Sequence, residues 1–246
     1  MRSSLFFERY TLHMSTIWQS LQLMIVRGLP NTILLTLGLV VIGLALGTLI
    51  AFTQVYGSRP LRWLCKIYEQ VFRGIPILVL ILIFHSGLAR SFHILLPAFV
   101  SALLALALRS GAYQSQIFRG AIQSVPQGQM MAARALGMSK IKAIYYIILP
   151  QAFRLSLPPW ANEFSSVLKD TSIASAISVL ELTKQATLSY TRLAVIPGFG
   201  AKWTLVILMI LALVYLVLTY AGNSALGFLE KRLRIPGFEI KGKIER

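Results

Sequence analysis

The chain has 246 residues, of which 56% are hydrophobic and 13% charged, and its mean hydropathy is +0.70. A soluble domain typically holds about 45–50% apolar and about 25% charged residues, so this composition argues against a soluble protein. The net charge of +16 would suit a nucleic-acid binder, but the basic residues are dispersed between apolar stretches, so no nucleic-acid partner is expected. A single cysteine, Cys65, excludes an internal disulfide, and the three scattered histidines predict no metal site.

Five stretches are predicted to cross a lipid bilayer, which requires about 20 mainly apolar residues each. These spans are 29–55, 67–88, 95–118, 155–179 and 203–226. The first and the last carry no charged residue, whereas the three middle spans do. Charges within a span usually face protein or a water-filled cavity. The sequence therefore predicts an all-α polytopic membrane protein, with one transmembrane domain over 1–246 and a polar interior.

The distribution of lysine and arginine predicts the orientation of these spans, because short cytoplasmic loops carry an excess of both residues. With the N-terminus outside, the inner segments hold 14 such residues and the outer segments hold 7. The sequence therefore predicts an N-out, C-in topology that leaves the connection 119–154 on the cytoplasmic side.

The cytoplasmic connection contains the run QGQMMAARALGMSKIKAIYYIILP, whose apolar part is too short to cross a bilayer. A short helix is predicted over 130–136, with Gly137 as its left-handed C-cap. Ser139 is predicted to begin a second helix and Pro150 to end it. A length of roughly 35 residues is long for a simple link, so a docking element is the preferred interpretation. The small side chains expected on its surface are Ala132, Ala133 and Ala135.

This run resembles the cytoplasmic signature of ABC importer permeases, and most closely that of their polar amino-acid branch. Further similar motifs follow one another along the chain: FRGIP at 72–76, GAYQSQIFRGAIQSVPQGQ at 111–129, LKDTSIAS and VLEL within 168–182, and LEKRL at 229–233. The resemblance implies the transmembrane fold of a type I ABC importer, located in the cell inner membrane.

The resemblance also implies a set of partners. Separate ABC ATPase subunits would bind ATP at the cytoplasmic face, so this chain would need no cofactor of its own. A second permease subunit, a solute-binding protein on the outer side and an amino-acid substrate would complete the system. The chain has no GxxxxGK[ST] phosphate loop, so it is not expected to be an enzyme. The residues of the implied ATPase-coupling helix are Gln129, Met131, Ala132, Ala133, Arg134, Gly137 and Ser139.

The chain departs from the family pattern at two positions. Met131 stands where the signature has an acidic residue, and Gln116 stands where the family often has glutamate. Coupling would then depend on shape and on Arg134, or a second, non-identical permease subunit would supply the acid. These departures favour a heterodimer of two different permease subunits, and a homodimer is the alternative.

Two pairs of charges within the spans are interpreted as structural. Glu69 and Arg73 are separated by four residues, in the order that favours an ion pair on one helix. Lys169 and Asp170 are adjacent opposite charges near the place where a helix is expected to break.

Other polar residues within the spans predict a substrate pathway. Arg109, Tyr113 and Gln116 share one helical face, and Asn162 and Glu163 lie on the fourth span. Glu163 with Asn162 would hold an ammonium or cationic group, and Arg109 would face a carboxylate. The alternative is that these residues form ion pairs between helices.

Together these features predict the permease subunit of an ATP-driven importer for polar amino acids, with basic or neutral ones favoured by Glu163. One alternative is a permease for another small amine or an opine-like solute. Another is an ion-coupled secondary transporter, which would be expected to show inverted repeats that this sequence lacks.

Overall fold

The computed structural model describes residue 15 and residues 17–195 and 201–233. The regular structure in these ranges is entirely helical and consists of a 3₁₀ helix and eight α-helices, so the all-α prediction is confirmed. They are α1 (Ile17–Tyr56), α2 (Arg59–Gly74), α3 (Ile77–Phe92), α4 (Ala98–Ser124), α5 (Gln127–Ala135), α6 (140–170), α7 (Leu182–Ala194) and α8 (Ala201–Leu233). The predicted domain over 1–246 also includes 1–14, 16, 196–200 and 234–246, which lie outside the described residues.

Two of the described helices, α1 and α8, are long and apolar enough to cross a membrane, and α2 with α3 passes the same test as a bent pair. Two to three candidate spans are therefore present by length and composition. The crossings by α4 and α6 stay predictions. α4 carries two charged residues and α6 carries six, and charges within a span usually face protein or a water-filled cavity.

The most extensive helix–helix contact in the described chain joins α1 to α4. It depends on Gly43 and Gly47, a GxxxG pair that lets two backbones approach closely. A Cβ atom added at Gly47 would lie 2.7 Å from the Cβ of Gln114 and 3.0 Å from the amide nitrogen of Ser115. Above this contact, Leu35 and Leu39 of α1 pack with Leu106 of α4 in the main apolar cluster.

The second predicted span, 67–88, is not one straight helix. The chain bends by 103° between α2 and α3. Ile75 is extended, with φ −84° and ψ 132°, and Pro76 precedes the first residue of α3. A residue before proline is disfavoured in the helical conformation, which explains why the helix is broken inside the FRGIP motif.

The prediction that Pro150 ends a helix is wrong. Helix α6 comprises Lys140–Ala143, a π-helical turn at Ile144–Ile148, and Leu149–Asp170. The amide of Leu149 bonds to the carbonyl of Ile144, five residues back, which widens the turn directly before the proline ring. The same arrangement precedes Pro30 in α1, where Leu29 bonds to Met24.

Helix α6 ends at Asp170 and is followed by a 3₁₀ helix at Thr171–Ile177. The break expected near Lys169 and Asp170 is therefore confirmed. The fourth predicted span, 155–179, combines the second half of α6 with this 3₁₀ segment.

We expect the variant Gly47→Val to destabilise the protein by about 1–3 kcal/mol, because its side chain would overpack the α1–α4 contact. The measurement is the thermal stability of the purified protein in detergent. Gly120→Ala is the matched control, since a Cβ added at Gly120 meets nothing within 4 Å. Equal stability of the two variants would contradict the close approach of α1 and α4.

Candidate coupling and translocation sites

The turn after α5 has the geometry that the sequence predicts. Gly137 has φ 81°, and the described residues contain no other glycine with positive φ. The amide of Met138 bonds to the carbonyl of Ala133 at 3.1 Å, and the amide of Gly137 to that of Arg134 at 3.0 Å. These two bonds form a Schellman motif, in which glycine is favoured because a left-handed residue with a Cβ is strained.

Side chains on both sides of Gly137 stabilise the turn. The hydroxyl of Ser139 accepts a bond from the amide of Lys142 at 3.3 Å, so the predicted N-cap is confirmed. The guanidinium of Arg134 donates to the carbonyl of Met138 at 2.9 Å. Helix α5 and the start of α6 are therefore held at a defined angle.

The inner side of α5 rests on the bundle while its outer side is exposed. Met130 packs against the apolar cluster that contains Val125 and Ile148. Ala133 is buried, which corrects the expectation that all three small residues are exposed; Ala132 and Ala135 are exposed as predicted. The side chain of Gln151 on α6 donates to that of Gln129 at 3.4 Å.

Arg109 forms an ion pair between helices, which is the alternative left open by the sequence, whereas Asp170 does not have the neighbouring partner expected for it. Arg109 of α4 donates to Asp170 of α6 at 2.7 Å, so Asp170 pairs across helices and not with its neighbour Lys169. The guanidinium of Arg109 also lies 4.6 Å from the ring centre of Tyr113, and that of Arg73 lies 4.9 Å from it. A cation over an aromatic face is attracted by the ring quadrupole, so Tyr113 stabilises both arginines.

Glu69 is buried, and the prediction that it pairs with Arg73 is wrong. Its carboxylate accepts a short bond from the hydroxyl of Ser115 and lies 3.4 Å from Arg119, and both partners are on α4. Arg119 also donates to Gln54 of α1. The hydroxyl of Tyr68 on α2 donates a hydrogen bond to the carbonyl of Leu108, which lies seven residues before Ser115 on α4. Helix α2 is therefore attached to α4 at two levels.

The remaining pathway residues lie near the Arg109–Asp170 pair or at the surface of the subunit. Glu163 is half-buried and interacts electrostatically with Asp170, Arg109 and Arg73. Asn162 is exposed, and Gln116 is half-buried one turn beyond Tyr113. The structure therefore brings Glu163 and Arg109 together and leaves Asn162 facing away from the subunit.

Sequence reasoning missed the role of Glu181, which is completely buried. Its carboxylate caps α7 by accepting bonds from the amides of Thr183 at 2.8 Å and Lys184 at 2.7 Å, and Tyr215 of α8 donates to it at 3.0 Å. The neighbouring amide of Leu182 donates to Thr32 of α1 at 3.1 Å. The local signal is a glutamate directly before the first residue of α7, but its partner Tyr215 on α8 is distant in sequence.

The described part of the chain contains no group of three or more His, Cys, Asp or Glu side chains arranged to hold a metal ion.

The long apolar helices α1 and α8, the ion pairs that join α4 to α2 and α6, and the exposed α5 turn define a helical membrane protein of the permease class. The chain belongs to the family of binding-protein-dependent transport system inner membrane components, whose model matches residues 43–235. It is thus an inner-membrane permease subunit and not the ATPase of such a system. The family inferred from the motifs is confirmed.

Individual relatives agree with this assignment. The chain is 34% identical over 225 residues to the glutamine transport system permease protein GlnP of Escherichia coli (strain K12), covering 90% of this chain and 97% of that one. It is 44% identical over 160 residues to the L-cystine transport system permease protein TcyB of Bacillus subtilis (strain 168), covering 65% and 68%. A crystal structure of an amino acid ABC transporter with histidines matches with a TM-score of 0.77 and 35% identity, covering 88% and 96%.

We expect a double-mutant cycle on Arg109→Gln and Asp170→Asn to give a coupling free energy of about 1–2 kcal/mol, as for a partly buried charged hydrogen bond. The measurement is the stability of the four purified variants. Lys169→Gln is the control and should show a smaller coupling with Asp170→Asn, because Lys169 acts on Asp170 through charge alone whereas Arg109 also donates a hydrogen bond. Additivity of the Arg109 and Asp170 variants would contradict the ion pair.

Proposed function

We propose that this chain is the membrane-spanning subunit of an ATP-driven importer for polar amino acids. The proposal rests on a single observation, the presence of helix α5. This short exposed helix lies outside the candidate spans, and the turn at Gly137 sets its angle. A substrate class of polar amino acids is supported by the relatives, which are named for glutamine and cystine transport.

The proposed topology has five spans with the N-terminus outside and the C-terminus inside, within one domain. α4 and α6 supply the third and fourth spans. Arg109 and Arg119 of α4 are paired within the bundle, and the exposed charges of α6 would face a partner subunit or water. Helix α5 then lies on the cytoplasmic side, and the excess of lysine and arginine in the inner segments supports this orientation.

In this proposal α5 is the coupling helix and sits in a groove of a separate ATPase subunit. ATP is bound by that partner, so this chain needs no cofactor of its own. The coupling contacts are made by the exposed residues of α5 and its turn, including Gln129, Met131, Ala132 and Arg134. A solute-binding protein delivers the substrate on the outer side.

A second permease subunit, identical or different, covers the polar surface of the proposed spans. Asn162, Ser166 and Lys169 are exposed and recur on one face of α6, and Arg73 is exposed on α2. Such side chains are costly against lipid, so we infer that they face the partner permease or water.

The substrate pathway is proposed to pass along this face, lined by Glu163, Asn162, Arg109, Tyr113 and Gln116. Glu163 with Asn162 would bind the ammonium or a cationic side chain. Arg109 would share its guanidinium between Asp170 and the carboxylate of the substrate, since its five donors exceed what Asp170 accepts.

Opines form a second candidate substrate class. The chain is 37% identical over 221 residues to the octopine transport system permease protein OccM of Rhizobium radiobacter, covering 83% of this chain and 88% of that one. Uptake competition with unlabelled amino acids and with octopine, in the complete complex, distinguishes the two classes.

We expect Gly137→Val to preserve membrane insertion while uncoupling ATP hydrolysis from uptake. A left-handed residue with a Cβ costs about 1–2 kcal/mol, so the turn would open and the orientation of α5 would be lost. Uptake in proteoliposomes should fall roughly tenfold at unchanged protein content, since about 1.4 kcal/mol corresponds to tenfold.

Gly128→Ala is the control, because Gly128 lies on the adjoining helix α5, lacks positive φ and has open space around its Cβ position. Wild-type uptake by the Gly137→Val variant would refute the coupling role of this turn.

We expect Glu163→Gln to raise the substrate concentration for half-maximal uptake roughly tenfold for lysine or arginine, because an ion pair with the substrate is lost. Glu163→Asp should retain part of the affinity. The measurement is initial uptake rate against substrate concentration. Unchanged uptake by Glu163→Gln, or transport confined to glutamate and aspartate, would exclude this site while leaving ATP-driven transport intact.

A further inference from the structure

An apolar groove runs along the second half of the α1 span, on the side of the helix opposite Gly47. It holds about 640 Å³ and lies against Leu149 of α6. The small side chains of Ala45 and Thr48 leave room for it between larger apolar residues of the same helix. These larger residues are Val41, Leu44, Leu49 and Phe52. We call this surface the α1–α6 groove.

The length of the α1–α6 groove matches one leaflet of a bilayer. At 1.5 Å per residue, the helix from Val41 to Phe52 is about 16 Å long, or about half of the hydrocarbon thickness. Val41 and Leu49 are each 63% exposed, and α1 is long and apolar enough to cross a membrane. The groove therefore has the size and the chemistry to hold an acyl chain of a lipid.

Tyrosine side chains lie at the end of the groove that is nearest to the C-terminus of α1. The rings of Phe52 and Tyr56 are in contact, with their centres 5.1 Å apart. On α6, Tyr145 and Tyr146 precede Leu149 by one helical turn and are each 64% exposed. Tyrosine is enriched at the level of lipid headgroups, so this end of the groove lies at a membrane surface. In the proposed topology, on which only the choice of leaflet rests, that surface is the cytoplasmic one.

An exposed cation lies at the same end of the groove. Lys142 is seven residues before Leu149 and three before Tyr145, a spacing that returns to one side of a helix. The cap by Ser139 fixes the turn that carries it. Lys142 forms no ion pair with a described residue, and the chain has no acidic residue between positions 69 and 163. Its ammonium group therefore needs an anion from outside the chain.

We propose that the α1–α6 groove is a binding site for an anionic phospholipid of the inner leaflet. One acyl chain fills the groove over Ala45 and Thr48. The ammonium of Lys142 pairs with the lipid phosphate, and the hydroxyl of Tyr145 donates to the headgroup. Basic sites beside membrane helices on the cytoplasmic side favour anionic lipids, because a zwitterionic headgroup carries a cation that offsets its phosphate.

The test is native mass spectrometry of the full-length chain in an uncharged detergent. It measures the affinities of phosphatidylglycerol and phosphatidylcholine with identical acyl chains. Phosphatidylglycerol should bind roughly fivefold more tightly, which is the effect of about 1 kcal/mol for one basic residue near a headgroup. Ala45→Phe should weaken the binding of both lipids roughly tenfold, because its ring fills the groove. Val217→Phe is the matched control, since Val217 is 58% exposed on α8 and lies outside the groove.

Removing the cation gives an independent readout. Lys142→Gln should abolish the preference for phosphatidylglycerol and leave the affinity for phosphatidylcholine unchanged. Lys231→Gln is its control, because Lys231 is an exposed lysine near the C-terminal end of α8. Soluble glycerol phosphate, which carries the anion without acyl chains, should not displace phosphatidylglycerol.

Three results would overturn the proposal. Equal affinities for the two lipids would show ordinary boundary lipid without a specific site. Displacement by glycerol phosphate would show a site for soluble anions. A loss of dimers in Ala45→Phe, with phosphatidylglycerol binding unchanged, would show that a second permease subunit occupies the groove. The lipid affinities are measured without ATP or an ATPase, so failure of the proposed import function would leave them unaffected.

Discussion

The close packing of α1 on α4 at Gly47 is the contact on which the rest of the structure depends. It brings the GxxxG face of α1 against Gln114, whose side chain bonds to Ser110 at 2.9 Å and accepts from Trp160 of α6 at 2.9 Å. Three helices are thereby fixed around one buried amide. Because this face of α4 packs against α1 and α6, Arg109 and Arg119 extend from its other faces towards separate partners.

The pairing of those two arginines gives the bundle a polar interior that a membrane can tolerate. Arg109 joins α4 to Asp170 at the end of α6, and Arg119 joins it to Glu69 on α2. An uncompensated charge there would be strongly destabilising, so these pairs constrain both the helix arrangement and the chemistry available to a substrate. Glu163 lies beside one of them and is proposed to bind the substrate because described residues offer its carboxylate no hydrogen bond.

Local features could be predicted from the sequence, and contacts between distant segments could not. Gly137 and Ser139 were predicted correctly because a C-cap and an N-cap involve only neighbouring backbone groups. Glu69 was assigned to Arg73 by spacing, but tertiary packing brought Ser115 and Arg119 nearer. Pro150 was expected to end a helix, but a π-helical turn before it lets the helix continue. This turn leaves no signal in the sequence. Glu181 was missed because its partner Tyr215 lies on α8.

The central claim is that a separate ATPase drives this permease through α5. The most direct test is uptake of radiolabelled polar amino acids into proteoliposomes that contain the complete complex and the solute-binding protein. The account predicts uptake that requires ATP on the ATPase side and persists when ion gradients are dissipated. Uptake by the permease chain alone, driven by an ion gradient and indifferent to ATP, would contradict it.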